Sequence, residues 1–151
     1  MNDLRVFLLL LMLGITACGS DPDPVAGPVP TSGPTPTAPS ASRALNVPFD
    51  FQENQNWCWA AAIKMVSDYY GRYVEQCNVL SLWYGNQCCL YPAYCDTTGS
   101  TGQIISTLNA NRINAQWMGA ALSLDQVKAE ISAGRPIIAG YRNSFSGHVV
   151  V

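Results

Sequence analysis

Hydrophobic residues along this chain fall into three regimes. Val6 to Leu13 is an unbroken apolar run. Gly19 to Ser42 is rich in Pro, Gly, Ser and Thr and offers almost nothing to bury. From about Arg43 the spacing becomes periodic. Cys58, Ala62, Met65 and Tyr69 recur at three- and four-residue steps, which predicts a helix over Trp57 to Tyr70 with those residues as its buried face. Gly71 follows as a stop. Gln76 to Gly85 reads as a second short helix and Gln103 to Asn109 as a third. Ser123 precedes Leu124, with Gln126 three residues on, the pattern of a capping box. Leu124, Val127 and Ile131 give that fourth helix an apolar face, and Gly134 ends it. Val47-Pro48-Phe49 reads as an edge strand, Ala115 to Met118 as a strand, and Pro136 to Tyr141 as a buried strand. Asn143 to Gly147 is a turn, and His148 to Val151 the returning strand. Helices first and strands later predict an α+β domain.

The first two regimes predict processing rather than fold. Eight apolar residues are too few to cross a bilayer, so residues 1–17 read as an export signal. The run ends Gly14-Ile15-Thr16-Ala17-Cys18, which is similar to a bacterial lipoprotein cleavage site and implies that Cys18 is lipidated. An ordinary signal peptide cleaved nearby is the alternative. Residues 18–44 cannot offset their ordering entropy and are expected to be an extended tether. At ~3.1 Å per residue it could reach roughly 70 Å from a membrane.

Composition narrows the remainder. The chain has 151 residues and a formal net charge of −2, with no basic cluster. Nucleic acid is therefore not an expected partner. Residues 45–151 suffice for one modest core that cross-links would help. Of six cysteines, Cys18 and Cys58 have other assignments. In an oxidising compartment Cys77, Cys88, Cys89 and Cys95 are expected to form two disulfides. Adjacent Cys88 and Cys89 rarely pair with each other, so Cys77 and Cys95 each take one of them, in an order the sequence leaves open. Zinc is the rival, but the usual pair of Cys-x-x-Cys knuckles is absent.

The candidate chemistry centres on Gln52 to Ala60. A polar, turn-prone run stops at Cys58, where the helical pattern begins. Unpaired N–H groups and partial positive charge at a helix start favour a thiolate there. Gln52 carries an amide donor that could join the Cys58 N–H in an oxyanion hole. His148 is the sole histidine and the one ordinary base near neutral pH. A lone histidine is more often structural, yet this one opens a strand expected beside the first helix.

Gln52, Cys58 and Trp59 stand at the spacing of the papain-like cysteine peptidases, and Gly147-His148 resembles that family's histidine motif. Trp57 before the cysteine and Ala60-Ala61-Ala62 after Trp59 resemble its short bacterial branch, which includes effector proteases and bacteriocin-leader peptidases. The Cys-Gly that precedes the nucleophile in papain is absent. The resemblance implies a papain-like α+β fold with the nucleophile at a helix N-terminus, packed on a C-terminal antiparallel sheet that carries the histidine. It implies Cys58 as nucleophile, His148 as base and Gln52 as oxyanion donor. Trp59 reads both as a cover for the active-site helix end and as core. Trp57, Trp83, Trp117 and the Tyr69-Tyr70 pair read as core and groove walls, and Trp57 and Trp59 are also the candidate cleft residues. The expected protein is a monomeric, exported, lipid-anchored peptidase of the cell envelope. Its partners are a peptide or protein substrate and a membrane, and it needs no metal or organic cofactor. A peptide- or cell-wall-binding module without activity, and an amidase or transpeptidase using the same cysteine, are the alternatives. In this family a third polar residue follows the histidine and orients it. Here only Val149, Val150 and Val151 follow, so residues 45–151 are expected to be C-terminally incomplete. Asn143 is the one substitute nearby.

Overall fold

In chain order the elements are β1 (Arg5–Leu10), α1 (Cys58–Tyr69), α2 (Gln76–Tyr84), a 3-10 turn (Pro92–Cys95), α3 (Thr101–Ala110), β2 (Asn114–Trp117), α4 (Leu124–Ser132), β3 (Ile137–Arg142) and β4 (Gly147–Val150). The computed structural model describes residues 5–10, 43–142 and 147–151. All of them belong to one unit, and a second unit, residues 13–42, lies outside the described residues. Cys18, residues 18–42 of the tether and Asn143 fall outside as well.

α1 is the central helix. It packs against α2, α3 and β4. Its buried positions are Trp59 to Ile63 together with Val66 and Ser67. This corrects the expected face: Cys58, Met65 and Tyr69 are only half-buried. The helix is covered on two sides, so it carries two apolar stripes, and the stripe through Cys58 and Met65 borders a cleft. Trp57, Trp59, Ile63, Leu80, Leu108, Ile113 and Ile138 are among the largest fully buried side chains. Each contributes on the order of 1.5–3 kcal/mol through the apolar area it removes from water. Gly71 and Gly134, the expected stops of α1 and α4, take φ of 66° and 73°. Those left-handed values suit glycine at the position after a helix cap.

The sheet order is β2-β1-β3-β4. β3 and β4 are antiparallel, with Tyr141 opposite His148. β1 pairs in parallel with β2 on one side and β3 on the other, Phe7 lying opposite Gln116 and Ile137. The sheet is thus mixed, with an antiparallel C-terminal pair. Part of the apolar run read as an export signal lies at its centre as β1, a position that suits a continuous Val/Phe/Leu sequence.

Two further expectations are corrected. Val47-Pro48-Phe49 joins no sheet. Its continuation is held by a side chain instead: buried Gln76 donates from Nε2 to the Phe51 carbonyl (2.6 Å) and accepts from the Glu53 N–H at Oε1 (3.1 Å). The buried Gln76 amide needs partners, and this stretch of backbone supplies both a donor and an acceptor. On α4, Leu124 is exposed, while Val127 and Ile131 border a groove of about 480 Å³ with Leu45, Val47, Ile137 and Ala139. The buried residue of α4 is Glu130, paired bidentately with Arg135. Trp83 and Trp117 are part-exposed at the surface. Among the described residues no helix is long and apolar enough to cross a membrane.

Candidate active site

Cys58 is the first residue of α1, and the helix starts there because the preceding turn closes on itself. The Trp57 N–H donates to the Asn54 carbonyl at 3.2 Å. No side chain caps the helix, and no acidic residue lies in its first turn. The N–H of Cys58 thus has no intrahelical partner, and the positive end of the helix dipole falls on this cysteine. Among the described residues Cys58 is the free cysteine, and it is half-buried.

Gln52 lies in the same turn. Its Nε2 donates to the carbonyls of Asn54 (2.9 Å) and Gln55 (2.7 Å). Both amide hydrogens are therefore engaged with its own loop, and donating to a ligand requires exchanging one of them. His148 comes from β4, which packs on α1. Its ring meets Tyr141 edge-on, centroids 5.6 Å apart. The imidazole and the Cys58 thiol share a cleft without a direct hydrogen bond. That cleft, about 240 Å³, is lined by Gln52, Cys58 and His148 together with Phe49, Asp50, Phe51, Ala61, Met65 and Val149 to Val151.

Its walls are apolar. Phe49 and Phe51 are 74% and 77% exposed and meet edge-to-face, centroids 4.7 Å apart. Together the two rings form an exposed apolar patch on the rim of the cleft. Asp50 ties this wall to α1 through Lys64 (3.5 Å), which also bonds Asp68 at 2.7 Å. The Asp68 hydrogen bond chiefly holds the Lys64 ammonium above its ordinary pKa, against the opposing effect of burial. Burial first, then the charges of Asp50 and Glu75, push the Glu53 carboxyl upward.

Trp57 and Trp59 are both fully buried, as their core reading expects, and as cleft candidates they are corrected, since neither borders the cleft. Each indole is large enough to be needed in the core, and each N–H finds a backbone carbonyl there: Cys95 for Trp57 (3.0 Å) and Thr97 for Trp59 (3.1 Å). The two expected disulfides are Cys77–Cys89 and Cys88–Cys95. Sequence reasoning missed Phe49, Phe51 and Met65 as the walls. It also missed Gln76 and Asp96, whose contacts span 23 to 40 residues along the chain. Nothing in the local pattern marks either polar residue. The two phenylalanines carried a signal, as apolar residues flanking the polar stretch at Gln52.

Residues 44–151 match the family model described as the Peptidase_C39 like family. No curated protein and no solved structure matches the chain.

Proposed function

The chain belongs to the Peptidase_C39 like family, and on that premise we propose that it is an exported, lipid-anchored cysteine peptidase that cleaves peptide bonds through an acyl-enzyme. The observation that carries this reading is the meeting of Cys58, His148 and Gln52 on one cleft. The Cys58 thiolate attacks the scissile carbonyl, and the resulting oxyanion accepts from the Cys58 N–H and the Gln52 amide. His148 takes the thiol proton and delivers it to the leaving amine. Water, losing a proton to His148, then releases the acid and regenerates the thiol. Binding draws the Gln52 amide away from the Asn54 or Gln55 carbonyl. Phe49, Phe51 and Met65 favour a substrate with an apolar side chain near the scissile bond. Cys18 is the proposed lipid attachment point, with residues 18–44 as the tether.

A peptide-binding module without activity is the second reading. The engaged Gln52 amide is the observation in its favour, since a rigid loop would never release it. A peptidyl thiol-directed electrophile with mass mapping, alongside a fluorogenic peptide library, separates the two. The peptidase reading expects one label on Cys58, turnover of peptides with apolar residues, and loss of both in Cys58→Ala. Gln52→Ala should lower kcat by ~10²–10³-fold, as loss of one oxyanion donor does elsewhere. A Cys58 that takes no label and supports no turnover would reject it.

A further inference from the structure

Two segments distant in sequence meet at the start of α1. Residues 95–97 run beside 56–59, and four hydrogen bonds join them. The Asn56 N–H donates to Asp96 Oδ1 at 2.8 Å, and Asn56 Nδ2 donates to the Asp96 carbonyl at 3.3 Å. The indoles of Trp57 and Trp59 donate to the carbonyls of Cys95 and Thr97. Cys95 is itself buried and bridged to Cys88, which anchors the receiving strand of backbone. One of these four bonds ends on a carboxylate. A backbone N–H donating to a carboxylate is a charge-assisted bond, roughly twice as strong as its neutral counterpart. It lands two residues before the nucleophile, within the turn whose Asn54 and Gln55 carbonyls hold Gln52.

We infer that Asp96 is a positioning residue for acyl transfer: by holding the Asn56 N–H it fixes the turn that aims the Cys58 N–H and the Gln52 amide at the oxyanion. The inference rests on the peptidase reading of the cleft. Asp96 does not line that cleft, so it acts through the loop and not on the substrate. An oxyanion hole works because its donors are placed before the charge develops. A displacement of about 1 Å can cost ~10²-fold in rate. The structural alternative is that Asp96 merely closes a surface turn.

Two reactions of Cys58 tell these apart. Acylation by p-nitrophenyl acetate passes through an oxyanion, whereas alkylation by iodoacetamide needs only the thiolate. In the full-length protein Asp96→Ala is expected to slow acylation roughly 10- to 100-fold while leaving alkylation and thermal stability near wild type. Asp96→Asn, which keeps an acceptor at Oδ1 but loses the charge, should recover part of the loss. Asp96→Glu keeps the charge but moves the acceptor by one methylene, and should acylate more slowly than Asp96→Asn. Acylation at the wild-type rate in Asp96→Ala overturns the inference, as does parallel slowing of both reactions with a lowered Tm. Should Asp96→Ala not fold, equal acylation in the Asn and Glu variants overturns it. A wild-type Cys58 that alkylates but never acylates rejects the peptidase reading itself, and the inference with it.

Discussion

Adjacent tyrosines at the end of α1 show how far side-chain context decides the value of one hydroxyl. Tyr69 donates to the Gly134 carbonyl at 3.1 Å, tying α1 to the end of α4. The Tyr70 hydroxyl is buried and has no hydrogen-bond partner among the described residues. Burial foremost, with the neighbouring Tyr69 adding to it, pushes the Tyr70 pKa up from 10.0 to about 12. The folded state therefore prefers the neutral phenol. Below pH 10 the phenol is neutral folded or unfolded and stability is undiminished; as pH rises from there toward 12 the unfolded state ionises first and stability falls. Tyr69→Phe should cost about 1 kcal/mol, the net worth of a typical hydrogen bond. Tyr70→Phe should leave Tm at pH 7 unchanged or higher and flatten the fall in Tm between pH 10 and 12. Thermal unfolding of both variants across that range checks this. Equal losses in the two would show that Tyr70 finds a partner in solution.

At the scale of elements, the loop before α3 is pressed onto α1. A Cβ built on Gly99 would fall inside the indole of Trp59. That indole is fully buried and bonded to the Thr97 carbonyl, so it cannot swing away. Gly99→Ala is accordingly expected to destabilise by at least ~1–3 kcal/mol, the usual cost of overpacking. Urea unfolding followed by tryptophan fluorescence measures it, and an unchanged midpoint would mean that the loop yields. α3 starts where it does because Ser100 and Gln103 form a capping box. The same Ser-x-x-Gln pattern that marks Ser123 thus starts α3 at Thr101, two residues before the expected Gln103. α4 was legible from its box. α1 was legible as a helix but not in its buried face, because periodicity registers a stripe without saying what covers it.

At the scale of the whole molecule, the proposed export step acts on the sheet. Cleavage before Cys18 would remove β1, which pairs with both β2 and β3. Two strand edges would then face water or other chains, a condition that favours edge-to-edge association. A protein beginning at Cys18 is expected to show a lower Tm and more self-association than the full-length chain. Thermal unfolding and size-exclusion chromatography of the two forms decide it, and identical profiles would show that the sheet does not depend on β1. The same run of Val, Phe and Leu fits an export signal and a central parallel strand, so its sequence alone could not say which structure it forms.

Local chemistry was determined by the sequence itself. The start of α1 at Cys58, the caps and glycine stops and the strands around His148 all follow from residues within a few positions of one another, and the existence of two disulfides follows from the number of cysteines. Short-range sterics and backbone hydrogen bonding fix such features wherever the segment lies. Tertiary structure decided what depends on long-range packing. Trp57 and Trp59 stayed out of the cleft, and Phe49 and Phe51 became its walls. Gln76 found its partners in the backbone of Phe51 and Glu53, and the four cysteines paired as Cys77–Cys89 and Cys88–Cys95. Asp96 came to rest against Asn56, 40 residues away in sequence. The physical reason is common to all of these. A buried polar group must find a partner and a large apolar one a cavity, and which of several distant candidates supplies it is settled only when the chain closes on itself.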